Sequence, residues 1–123
     1  MVLVDTSVWV DHLRHGNSEL TALLHKNQVL AHPFVLGELA LGNLRQRVAV
    51  LSALLRLPVA TVAADDEVLR LIELHTLHGI GIGYIDTHLL ASTLLSAPCQ
   101  FWTLDKRLRA AANSLGIDHA VIH

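Results

Sequence analysis

The 123-residue sequence predicts an α/β domain, a mostly parallel central sheet flanked by helices. Three observations carry that expectation. Short apolar runs without alternation, "MVLV" and "QFWTL", read as strands buried on both faces. Between them lie stretches with helical spacing and helix-start signals. The two kinds alternate along the chain, as parallel strands joined by helical crossovers require.

The elements follow in order. "MVLV" is a strand, and "TSVWVDHLR" is a helix stopped by His15-Gly16-Asn17. Ser18 to Lys26 fits a second short helix, and "QVLA" a short strand. Pro33 suits a first helical position, so "PFVLGELALGN" follows as a helix despite Gly37. Arg45 to Leu57 is a longer helix with Val48, Leu51 and Leu55 on one face, ended by Pro58. "PVATV" is a candidate strand. Asp65, Asp66 and Glu67 form the acidic first turn of a helix running to His78. "GIGIGY" bends the chain, and "YIDTHLLASTLLS" is helical up to Pro98. "CQFWTL" is a strand closed by Asp105, "DKRLRAAANSLG" a helix with Gly116 past its end, and "HAVI" a last strand. No repeat, linker or low-complexity segment interrupts the pattern, so residues 1–123 read as a single domain.

Composition narrows the function classes. Apolar residues make up 52% and charged residues 16%, against a usual charged share of about 25%. Disorder is excluded, and the apolar excess predicts that some surface meets another chain, as in a dimer. The helix around Leu51 and the helix ending at Gly116 are the candidates for that contact. The net charge of −2 offers no long-range funnel for nucleic acid, so polyanion binding must rest on local groups or bound cations. The single cysteine, Cys99, cannot form an internal disulfide, which fits a reducing cytoplasm. Asp5 breaks the opening apolar run, so a signal peptide is not expected. The uncharged span from Thr87 to Leu104 carries Thr, Ser, His88, Gln100 and Pro98, so a membrane span is not expected either.

Four acids stand out. In parallel sheets, sites gather at the carboxyl ends of strands, where Asp5 and Asp105 both lie. Each can also cap the following helix, for roughly 1 kcal/mol. Taken alone Asp105 reads as a cap, and Asp5 stays open. Glu38 has Phe34, Val35, Leu41 and Gly42 as helical neighbours, so it is expected to point into or along the core, where a lone carboxylate costs several kcal/mol. A salt bridge to Arg45 or Arg47 is the structural alternative. Asp86 sits in the first turn of its helix with Leu89 and Leu90 beside it, and interaction with the helix dipole would also explain it. Asp65, Asp66, Glu67, Asp11, Glu19, Glu73 and Asp118 read as surface groups. Four carboxylates in semi-apolar settings repel one another unless a cation joins them. Oxygen-only ligation suits Mg²⁺ or Mn²⁺. Thr6, Ser7 and Thr103 add hydroxyls that orient carboxylates or water.

Taken together, "VDTSVW", Glu38 in "VLGELALG", Asp86 in "YIDTHLLAS" and Asp105 in "FWTLDKRL" resemble the PIN-domain ribonucleases, and among them the VapC-type toxins of toxin–antitoxin pairs. The likeness runs from Val2 to about Asp118, with four motifs in the family's order. It implies a PIN-like three-layer sandwich, a Mg²⁺- or Mn²⁺-dependent endoribonuclease, a homodimer and a cognate antitoxin. It also implies Asp5, Glu38, Asp86 and Asp105 as the catalytic, metal-binding set, supported by Thr6, Ser7 and Thr103. Leu108 stands where an aromatic residue is common, and Leu90 where a small one is. Both departures touch packing near the site.

Other chemistries find less support. The nine histidines include no zinc motif, and His75 with His78 lacks a third ligand. His88 reads as a solvated residue, and Cys99, Trp9, Trp102 and Tyr84 as packing groups. No phosphate-binding loop is present, and the acid a receiver domain needs at a mid-chain strand end is missing between Val48 and Ala64. Lys106 and Arg107, beside Asp105, are the candidate RNA phosphate contacts. The rival from another class is a non-catalytic module of the same fold that holds a basic partner peptide on its acids.

Overall fold

The structure, a computed structural model, describes residues 1–120. β1 (Val2–Val4) occupies the middle of a three-stranded parallel sheet, between β2 (Val29–Leu30) and β3 (Gln100–Trp102). Leu3 lies opposite Leu30 on one side and Phe101 on the other. Isolated parallel bridges extend both edges, Val59 beside Ala31 and Asp118 beside Phe101. All three residues of β1 are buried, so helices cover both faces, as unbroken apolar strands require.

The helices are α1 (Thr6–His15), α2 (Ser18–His25), α3 (Pro33–Leu41), α4 (Arg47–Leu55), α5 (Asp65–His75), α6 (Tyr84–Leu95) and α7 (Lys106–Ser114). α1 packs on α3, α3 on α4, α5 on α6, and α6 on β3. Gly16, at φ +73°, ends α1 in a conformation that glycine adopts without strain. Asn17 then caps α2, its side chain accepting from Leu20 N–H. The core joins Leu3, Val8, Leu20, Leu39, Leu89, Leu90, Phe101 and Leu108. Leu90 and Leu108, the two departures from the family pattern, are both fully buried there. No helix among the described residues is long and apolar enough to cross a membrane.

Several boundaries differ from expectation. α4 starts at Arg47 and α5 stops at His75, where Thr76 turns left-handed. "PVATV" contributes only the single bridge at Val59, because Ala60 N–H and Ala31 C=O complete the contact and no further pairing follows. The last strand expected at "HAVI" lies, for Val121 and Ile122, outside the described residues. α7 turns Leu108, Ala111 and Ala112 inward and exposes polar positions, so its apolar side is spent within the domain. α4 instead leaves Val48 and Leu55 exposed, at 81% and 67%.

Candidate active site

Asp5 follows β1 and is buried, yet it does not cap α1 with its side chain. Its Oδ2 accepts from Thr103 Oγ1 at 2.7 Å and from Ser7 Oγ at 2.8 Å. Each hydroxyl has one proton and gives it to Asp5, leaving its lone pairs to take backbone N–H groups. Thr103 Oγ1 accepts from Asp105 N–H at 3.1 Å, and Ser7 Oγ from Leu104 N–H at 3.0 Å. The parallel pairing of β1 with β3 brings these residues together, extended by Asp5 N–H donating to Trp102 C=O. The three expected hydroxyls are therefore in use: Thr103 and Ser7 on Asp5, and Thr6 Oγ1 donating to Glu38 Oε1 at 2.9 Å.

Glu38 does not point into the core. It is exposed on α3, tied to the start of α1 through Thr6. The apolar neighbours misled because α3 is not covered all round: Leu41, one turn on, is 91% exposed. Arg47 does not pair with Glu38 but donates to the carbonyls of Ala40 and Gly42 at the end of α3.

Asp86, in the first turn of α6, accepts from Gly83 N–H at 3.2 Å. Burial pushes its carboxyl above the ordinary range, the Gly83 bond opposes this, and the negative charges of Asp5 and Asp105 push it further up. Three of the four acids thus share one electrostatic neighbourhood, with Glu38 joined to it through Thr6 beside Asp5. Asp105 caps α7, accepting from Leu108 N–H at 3.0 Å. Each acid is held by its own local donors, and among the described residues no three acids, histidines or cysteines stand together in a group that could hold a metal ion.

Lys106 and Arg107 are exposed at the start of α7. Arg107 lies across Gly81 of the glycine loop, where a Cβ would come 2.6 Å from Nη1. Gly81, at φ +84°, thus makes room for the guanidinium beside the loop that leads to Asp86. The sequence marked that loop only as a bend.

A second polar group was not anticipated. His88 is buried rather than solvated, and its Nε2 donates to Asp65 Oδ1 at 2.9 Å. Tyr84 O–H donates to the same oxygen at 2.6 Å, so Asp65 is no mere capping acid and Tyr84 no core residue. Those two bonds, Tyr84's first, hold the Asp65 carboxyl below its ordinary range. Glu67 does the capping instead, accepting from Ala64 N–H. His32, also buried, caps α3 through Nδ1, and its Nε2 meets Ser92 Oγ at 3.0 Å. Phe34 stands between the two imidazoles, its centroid 5.1 Å from each. The i, i+4, i+8 spacing of Tyr84, His88 and Ser92 on α6 was the available signal. His75 and His78 are exposed, Trp9 and Trp102 are buried, and burial raises the Cys99 thiol above its ordinary value, as core packing predicts.

The chain is 45% identical over 117 residues to Ribonuclease VapC32 of Mycobacterium tuberculosis, in strains CDC 1551 and H37Rv, covering 95% of this chain and 94% of that protein. Its fold is similar to the crystal structure of FitAcB from Neisseria gonorrhoeae, with TM-score 0.62 at 21% identity over 92% of this chain and 94% of that one. It is also similar to PAE2754 from Pyrobaculum aerophilum, with TM-score 0.58 at 21% identity over 89% of this chain and 77% of that one. The PIN domain profile matches residues 2–114, nearly the whole sequence and all four acids, and the chain belongs to the PIN-domain family.

Proposed function

We propose that this chain is an endoribonuclease that hydrolyses RNA phosphodiesters with the help of Mg²⁺ or Mn²⁺, and that it is the toxin of a cytoplasmic toxin–antitoxin pair. The observation that carries the reading is Thr103 joining two of the acids, its hydroxyl donating to the Asp5 carboxylate and accepting from Asp105 N–H, with Asp86 raised first by burial and then by the charges of both. The identity to a ribonuclease over almost the full length supports the substrate class. The donors are all oxygen, the set a hard cation prefers. Mg²⁺ commonly takes one or two carboxylates and keeps several waters, so a cluster short of a closed cage still suits it.

Asp5, Glu38, Asp86 and Asp105 would hold the ion. When bound, it supplies a water of lowered pKa and charge neutralisation at the scissile phosphate. The chain's own part is orientation. Thr103 and Ser7 fix one oxygen of Asp5, the other having no hydrogen-bond donor among the described residues, and Thr6 fixes one oxygen of Glu38. Lys106 and Arg107 stand at the rim for RNA phosphates. No covalent enzyme intermediate is needed. The exposed Leu41, Val48 and Leu55 offer apolar surface for the homodimer or the antitoxin. The module reading has no observation of its own to favour it.

Asp5→Asn tests the assignment. Asparagine keeps a carbonyl oxygen for the two hydroxyls, so the fold should survive while cleavage of RNA in Mn²⁺ falls by about 10³-fold or more, the scale of losing a main electrostatic stabiliser. Cleavage by this variant at the parent rate overturns the assignment.

A further inference from the structure

A cleft of about 500 Å³ lies between the α1–α2 turn and α7. Its upper end is formed by Thr103 and Leu104, the residues whose hydroxyl and N–H hold Asp5 and Ser7. None of the four acids lines it, but Thr103 binds Asp5 and Lys106 follows Asp105 in the chain, so the cleft lies beside the acids. We infer that this cleft binds the RNA nucleotide next to the scissile phosphate, a proposal that rests on the ribonuclease reading.

The lining has the chemistry for it. Lys106 and Arg109, one turn apart on α7, face the cleft from one side. Arg109 has Asp118 at 3.6 Å, whereas Lys106 has no carboxylate within ion-pair distance among the described residues. Glu19 on the opposite side adds a carboxylate to the lining, 3.5 Å from His119 Nε2. Ser18, at the start of α2, is exposed, and its hydroxyl makes no hydrogen bond among the described residues. Asn17 beside it is already committed to Leu20 N–H and Asp11. Trp102 lies buried beneath the cleft with the His119 ring 5.3 Å from it, so the aromatic edge open to a nucleobase is that of His119. Cations for a phosphate, a free hydroxyl for a base edge and a mostly polar lining suit a nucleotide better than an apolar peptide. The volume falls in the range of small-ligand sites, roughly 300–1,000 Å³.

Amide shifts of the intact protein, titrated in EDTA with each ribonucleoside 5′-monophosphate and with inorganic phosphate, test this directly. Saturable shifts at Ser18, Leu104 and Lys106, with at least one nucleotide tighter than phosphate, support the proposal. Shifts absent there, or phosphate as tight as every nucleotide, overturn it. Ser18→Trp plugs the cleft from an exposed position. It should abolish the titration and raise KM for RNA about tenfold with kcat nearly unchanged, the signature of lost ground-state binding. Arg109→Ala should raise KM in the same sense, and Ser18→Ala by a smaller factor, since only the base-edge contact is lost. An unchanged KM in both Ser18→Trp and Arg109→Ala overturns the subsite while leaving the ribonuclease reading intact. A parent chain that cuts no RNA in Mn²⁺ overturns that reading instead, and the titration then still decides whether nucleotides enter the cleft.

Discussion

Acidification to about pH 5 should cost this fold about 2 kcal/mol through His32 alone. The ring is 1% exposed, and its Nδ1 accepts from Phe34 N–H at 3.1 Å. The neutral ring therefore carries its proton on Nε2 and donates it to Ser92 Oγ. A second proton on Nδ1 would point at the Phe34 N–H and break the cap of α3. Burial first, and the nearby His88 second, lower the pKa from 6.5 to about 4. Between those values the unfolded chain binds a proton that the folded one refuses. Stability is thus full above 6.5 and is lost as pH falls toward 4, by about 2 kcal/mol at pH 5. Urea unfolding at about pH 7.5 and pH 5, on the parent and on His32→Asn, measures the loss. Asparagine can retain the cap, and the other histidines and the acids are common to both proteins. The parent should lose about 2 kcal/mol more than the variant. Equal losses would refute the picture of a buried neutral cap.

Thr103→Val removes a hydrogen bond to a buried carboxylate at constant volume and should cost about 2 kcal/mol, or roughly 8 °C in Tm, whereas Thr103→Ser should cost about 1 kcal/mol for the lost methyl. Asp86→Asn should raise the Tm of the metal-free protein at neutral pH. The folded pKa of Asp86 is raised, so ionisation subtracts stability above the ordinary carboxylate value, and the gain should vanish in acid. Gly81→Ala should lose about 1 kcal/mol to strain at φ +84° and also displace the Arg107 guanidinium, weakening RNA binding. Gly79→Ala, at φ +74° with open space around it, should show the strain alone, which a filter-binding comparison of the two resolves.

Much of this was legible in the sequence for local reasons. Asp5 and Asp105 announce themselves by ending apolar strands, and Asp86 by opening a helix. Glu38 was expected to be buried, and it is exposed. Its apolar neighbours signalled an uncovered face of α3, with Leu41 in solvent, rather than burial of the acid. Pattern alone cannot tell a core from a surface awaiting a partner. The His32 and His88 network was missed because it depends on α3, α5 and α6 meeting, and nothing local in "AHPF" or "DTHLL" records that meeting. "PVATV" failed as a strand because only Val59 reaches an unpaired edge.

The order of the sheet bears on when the protein becomes active. The central strand is made before its flanking partner β3, with six helices between them in the chain and 96 to 98 residues separating Ser7 and Asp5 from the Thr103 hydroxyl that meets them. A growing chain still lacking that stretch has Asp5 without its buried support and no Asp105 at all. Ribosome-bound intermediates that lack β3 should therefore be harmless to nearby RNA, and competence should arrive abruptly, once β3 and Asp105 have left the ribosome.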